Sequence, residues 1–277
     1  MQPSSDIPTL FDRTALDARR TRIRDDALFL HRIARDEVED RLDVVNRTFT
    51  APVVVSPVPD LWQDLLPGTR VIADGDVLDL EEQSHDLVIH AMALHWANDP
   101  VGQIIQCRRA LKPDGLFLSL AFGGRTLHEL RTALAQAETQ VTGGLSPRVA
   151  PMAEIRDMGA LLQRAGLALP VADVVPLTAD YRDIFHLMQD LRAMGEGNAL
   201  TDRLRHPTRR SVFAAAQAIY AETHGRPDGR IPATFEIICL TAWAPDASQP
   251  QPLRPGSAAS RLADALKTAP GPKSGHR

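Results

Sequence analysis

The chain has 277 residues, an apolar fraction of 44% and a formal net charge of −4 at pH 7. That size and apolar share support one large domain with a real core. The negative balance and the lack of interleaved basic and aromatic residues exclude a general nucleic-acid binder, and no apolar run reaches membrane-spanning length.

The opening MQPSSDIPTLFDR lacks the basic start and apolar core of a secretory signal, so the expected location is the cytoplasm. Cys107 and Cys239, the two cysteines, read as buried thiols of a reducing compartment. Residues 1–9 read as disordered. Residues 14–47 read as one helix, with Leu28, Ile33, Val38, Leu42 and Val45 at helical spacing. Val53–Val55 is a short strand, broken by Ser56-Pro57-Val58-Pro59. A brief helix over 61–66 precedes a second strand, 70–73. A third strand covers 86–90 and a fourth 116–121. These runs are almost continuously apolar, as strands buried on both faces are. Between the last two lies a helix over 100–111, stopped by the turn Lys112-Pro113-Asp114-Gly115.

A helix over 126–140 follows, with Thr126 as its cap and Glu129 as the capping-box partner. Helices are expected over 152–164, 181–194 and 209–223, and strands over 171–175 and 234–244. The main domain spans 10–245, with a helical cap over about 181–223. From 246 to 277 the composition turns to Pro, Ser, Gln and Gly, which reads as a flexible tail apart from a short helix over 260–266.

Alternating strands and helices of this kind make an open α/β sheet with helices on both faces. Ligands settle beyond the carboxyl ends of such strands. Three segments point there: Ser56 to Asp60, Asp74-Gly75-Asp76 and His90 to Asn98. Asp74 and Asp76 offer acids for ribose hydroxyls, and His90 and Met92 line the third strand end. Pro57 and Pro59 lack N–H groups, and no glycine loop is present to hold a ligand by its backbone. His95 and Trp96 crowd the same mouth. No metal site is expected from His90 and His95, because no third ligand has convincing spacing. A second polar group, Asp190, Arg192, Glu196 and Asn198, ends a helix and is loosened by Gly195 and Gly197. Arg125 follows Gly123-Gly124 and is expected to face the same mouth.

Several separate stretches carry a resemblance: LHWANDP at 94–100, RALKPDGLFL at 109–118, AFGGRTLHELR at 121–131, LSPRVAPMAEIRDMGALLQRAGL at 145–167, LMQDLRAMGEGN at 187–198 and DGRIPATFEI at 228–237. In this order they resemble the class I S-adenosylmethionine-dependent methyltransferase superfamily. Within it they resemble the methyltransferase-like assembly factors of respiratory complex I and, more distantly, the malonyl-carrier methyltransferase of biotin synthesis. The resemblance implies a seven-stranded Rossmann-like methyltransferase sheet, an S-adenosylmethionine cofactor, and a function on or with a protein partner such as a complex I subunit. Hydroxylation of an arginine in that partner is part of what the complex I branch implies. Any membrane contact would then be peripheral, through the partner.

This chain departs from the family at the cofactor loop. Where the family has an acid and glycines after the first strand, here stand Val54, Ser56 and Asp60. Val54 and Asp86 are also too close for the usual two strand-helix steps, so one unit is expected to be missing. The alternative is therefore a pseudoenzyme, a methyltransferase-fold scaffold that no longer binds the cofactor.

Overall fold

Strand burial alternates with period two, and this sets the layers. In a computed structural model describing residues 9–249, Val54, Leu87, Ile89, Leu116, Leu118 and Leu120 enter one core, while Val53, Val55, Val88, Phe117 and Ala121 enter a second on the opposite face. The strands are β1 (Pro52–Val55), β2 (Arg70–Ile72), β3 (His85–Ala91), β4 (Leu111–Phe122), β5 (Ala168–Tyr181) and β6 (Ile231–Trp243). They form one sheet in the order β2-β1-β3-β4-β6-β5; β2, β1, β3 and β4 are parallel, while β6 runs antiparallel to both β4 and β5.

Helices cover both faces. The first core takes residues from α2 (Phe29–Val45), α4 (His128–Thr142), α6 (Ile184–Ala193) and α7 (Arg210–His224). The second takes residues from α3 (Pro100–Ala110) and α5 (Ile155–Arg164). A short amphipathic helix, α1 (Arg13–Arg20), is capped by the Asp12 carboxylate, which accepts from Ala15 N at 3.0 Å. Residues Met1–Pro245 form one unit, and a second begins at Asp246. The first eight residues of the expected disordered start, most of the expected tail and the 260–266 helix lie outside the described residues.

The α/β class stands. The described sheet has six strands rather than the seven that the resemblance implied, and β2 is the one strand between β1 and β3. The chain runs from β1 outward to β2 and returns to β3 on the other side of β1, which places the topological switch point between β1 and β3.

Several local expectations need correction. The single helix over 14–47 is two helices separated by residues 21–28, because Ile23 alone offers an apolar side chain over 21–26 and Arg24 N bonds to Ala193 O at 2.9 Å. The 112–115 turn is absorbed into β4: Asp114 adopts φ of +59°, and Ala244 N donates to Gly115 O at 2.8 Å. The capping box at Thr126 and Glu129 does not form. Glu236 N donates to Thr126 Oγ1 at 2.9 Å, and Glu129 accepts from the Thr234 hydroxyl, so β6 takes both side chains and α4 begins two residues later. The late strands are longer than expected, because β5 and β6 zip together from Ala168 to Tyr181 and supply each other's backbone partners.

Candidate functional site

The loop after β1 has little to offer a ligand. Ser56 N donates to Ile72 O at 3.0 Å, and Val58 N donates to Ser56 Oγ at 3.2 Å. Pro57 and Pro59 have no N–H. Residues 56–59 therefore present no free main-chain donor.

Asp74, beyond β2, is buried and already bound. Its carboxylate accepts from Arg13 Nη1 and Nη2 at 3.1 and 3.2 Å, and Arg20 Nη1 reaches both oxygens at 2.7 Å. Burial pushes the Asp74 carboxyl up, but Arg20 and Arg13 outweigh it and hold the group below its ordinary value. Asp76 is exposed, and its backbone oxygen accepts from Gln106. His90 is fully buried; its Nε2 meets Gln103 Oε1 at 2.8 Å, while Gln103 Nε2 donates to Gly75 O at 2.9 Å. That orientation of the amide makes His90 Nε2 the donor. Burial lowers the His90 pKa and keeps the ring neutral. Met92 is buried at φ of +52°, a left-handed conformation rare for a side chain of this size.

These residues do not fit an adenosyl-methionine group. Its cradle needs free N–H groups on a tight loop and an acid free to accept hydroxyls. Here the N–H groups over 56–59 are used or missing, the buried Asp74 holds two arginines, and Asp76 is left exposed.

The open space lies nearby, at the carboxyl end of β4 and beside the first half of β6. A cavity of about 420 Å³ is lined by Phe122, Leu127, Met188 and Phe235 on its apolar side and by Arg19, Arg22, Arg148, Arg192 and Glu196 on its polar side. Of the residues singled out in the sequence, Trp96, Arg192, Glu196 and Asn198 come together here. His95 stands behind Glu196. Asp190 lines an adjoining cavity that shares Arg22 and Arg192, and its Oδ2 accepts from Tyr181 OH at 2.8 Å. Arg125 does not line the cavity: it is exposed, and its main-chain N donates to Glu236 Oε2 at 2.9 Å. Asn198 braces the loop, with Nδ2 donating to Pro147 O at 2.9 Å and Oδ1 accepting from Leu200 N at 3.0 Å.

Glu196 is the centre of the polar wall. Its Oε2 accepts from Trp96 Nε1 at 2.8 Å and lies 3.1 Å from His95 Nε2, while Oε1 lies 3.9 Å from His31 Nε2. Phe122 N points at His95 Nδ1, which makes His95 Nε2 the donor to Glu196. Burial pushes the Glu196 carboxyl up, yet the hydrogen bond from His95, together with His31 and Arg20 nearby, brings it below its ordinary value, so it is ionised. Glu196→Gln leaves the accepting oxygen but removes the charge on which both hydrogen bonds end, and should cost about 1–3 kcal/mol. Denaturant unfolding checks this, and an unchanged midpoint would show that neither bond matters to the fold.

Sequence reasoning missed Arg13, Arg19, Arg20, Arg22, His31 and Arg148. The dense arginines over 13–24 were visible, but with Asp12, Asp17, Asp25 and Asp26 close by they look like a solvated helix face.

Comparison with known proteins supplies the family. Residues 56–119 match the methyltransferase domain family. The zebrafish (Danio rerio) mitochondrial arginine-hydroxylase NDUFAF5 is 36% identical over 225 residues, 81% of this chain and 70% of that protein. The human protein of the same name is 37% identical over 218 residues, 78% of this chain and 62% of that protein. A malonyl-[acyl-carrier protein] O-methyltransferase from Methylovorus is 39% identical over 177 residues, 64% of this chain and 57% of that protein. Among solved structures, the YcgJ protein of Bacillus subtilis aligns with a TM-score of 0.45 at 13% identity over 75% of this chain and 97% of its own. The named arginine hydroxylases are mitochondrial, which overturns the expectation of a cytoplasmic protein. Among the described residues no helix is long and apolar enough to cross a membrane. At 36% identity across most of both chains, the protein belongs to the NDUFAF5 arginine-hydroxylase family of the S-adenosylmethionine-dependent methyltransferase superfamily.

Proposed function

We propose that the chain works on a protein partner, with a subunit of respiratory complex I as the candidate, and that it does so without S-adenosylmethionine. One observation carries the second half: Asp74, the buried acid at the switch-point crevice, is held by Arg13 and Arg20 of the chain's own first helix. The lack of free N–H groups over 56–59 supports the same reading. The first half rests on likeness to the arginine hydroxylases, whose named activity is not methyl transfer. Arg192 and Glu196, at the open cavity, are the residues we assign to the partner.

A second reading, an active methyltransferase, is favoured by the match of residues 56–119 to the methyltransferase domain. Calorimetric titration of the folded protein with S-adenosylmethionine separates the two. No heat of binding is expected; saturable one-to-one binding would establish the second reading. For the partner, affinity capture of the tagged chain from its own cells should enrich complex I subunits. Recovery of none, with the chain itself well expressed, would remove that assignment.

A further inference from the structure

The cavity has more positive charge than it uses. Four arginines and one carboxylate line it. Arg148 is matched by Glu138, at 2.6 Å. The one lining acid, Glu196, is engaged by Trp96 and His95. Among the described residues no ion pair involves Arg19, Arg22 or Arg192. Arg19 is the most informative of them. Its Nη1 is buried with no hydrogen-bond partner. Its stem lies over Gly197, where a Cβ would come within 2.8 Å of Arg19 Cδ, so the absence of a side chain at 197 lets the guanidinium lie against the loop. Burial and the nearby Arg203 weaken the hold of Arg19 on its proton, and the charge of Asp12 offsets them only in part.

A buried guanidinium donor without an acceptor is costly, and arginine is the side chain best suited to carboxylates. The rest of the lining is largely apolar, with Phe122, Leu127, Met188, Leu191 and Phe235. We propose that this cavity is a carboxylate site, in which Arg19, Arg22 and Arg192 take the anionic end of a ligand whose apolar body lies against Phe122 and Phe235. A cationic ligand is excluded by the same three charges. The chemistry has two sources, a free carboxylic acid or an acidic side chain of a protein segment. The site goes beyond the partner reading and stands if that reading falls.

Trp96 lines the cavity and reports on it by fluorescence. Octanoate, octylamine and a capped Leu-Leu-Glu-Leu-Leu peptide are titrated separately into the full chain, and into Arg19→Met and Arg22→Met/Arg192→Met variants. Met keeps an apolar stem, and circular dichroism with thermal unfolding verifies that each variant folds. The expected result is saturable binding of octanoate or the peptide, none of octylamine, and about tenfold weaker binding in each variant. Tighter octanoate assigns a free acid, and tighter peptide assigns a protein segment. Octylamine binding as well as octanoate, no binding of either acid, or unchanged affinity in both folded variants would each overturn the site. Because complex I capture is a separate measurement, loss of one reading leaves the other readable.

Discussion

Asp74→Asn is expected to lower the unfolding free energy by about 3–5 kcal/mol, because it leaves the buried Arg20 without its counter-charge and Arg13 with only the exposed Asp17. The Asp74 side chain is 4% exposed, Arg20 10% and Arg13 28%, so water replaces little of what is lost. Single removal of Arg13 should cost less, since Arg20 keeps the closer contact, at 2.7 Å against 3.1 Å. Replacing all three by apolar residues of similar volume should recover much of the loss, because desolvating three charges is itself costly. The pH dependence has a definite sign. The folded-state pKa of Asp74 is depressed, so its stabilisation is complete above the ordinary value of 3.8 and disappears as pH falls through the folded value. Denaturant unfolding of wild type and Asp74→Asn should therefore show a gap that is constant near neutrality and closes in strong acid. Equal stabilities at pH 7 would mean that the arginines find other partners, and would remove the main support for an occupied crevice.

His31 carries the second large effect, in a different pH range. It is fully buried, and neither ring nitrogen has a hydrogen-bond partner. Burial pushes its pKa down from 6.5 to about 4, although Glu196 works in the opposite direction. Between those values the unfolded chain takes up a proton that the folded chain refuses, so stability falls with acidification. The difference amounts to about 3 kcal/mol once pH is below both values. His31→Leu, of similar size and without polar atoms, should remove this acid sensitivity and raise stability at pH 7 by about 1–3 kcal/mol. Unfolding curves at pH 7, 5.5 and 4 check both parts. If the variant and wild type lose stability in parallel over that range, the ring is accessible to water and the burial argument fails. The two effects separate cleanly, since Asp74 acts below pH 4 and His31 above it.

The sheet was legible because its signal is local. Val53–Val55, residues 86–90 and residues 116–121 are almost continuously apolar, with no other good fate, and Pro100 opens a helix. The missing strand-helix unit was legible from counting residues between Val54 and Asp86. What failed was the assignment of side chains that have two possible partners. Thr126 and Glu129 have the spacing of a capping box, yet Glu236 and Thr234 on β6, more than a hundred residues away, reach them in space. The same holds for Lys112 to Gly115, a turn by composition that becomes strand because Ala244 bonds to it.

The site divides in the same way. Glu196, Trp96, Arg192 and Asn198 stood out as polar or aromatic groups in unusual company, and the fold brings them to one cavity. Arg19 and Arg20 were indistinguishable in sequence. A helix of 3.6 residues per turn sends neighbours about 100° apart, so Arg20 goes to Asp74 and Arg19 to the cavity wall.

The chain's own letters determined the α/β class, the strand positions and the loss of a glycine cradle, because each follows from side-chain pattern or from a missing N–H within a few residues. Which charges are neutralised and which are left waiting was decided by tertiary structure alone. Charge pairing depends on distance and burial, and neither exists until α1 packs against the ends of the sheet.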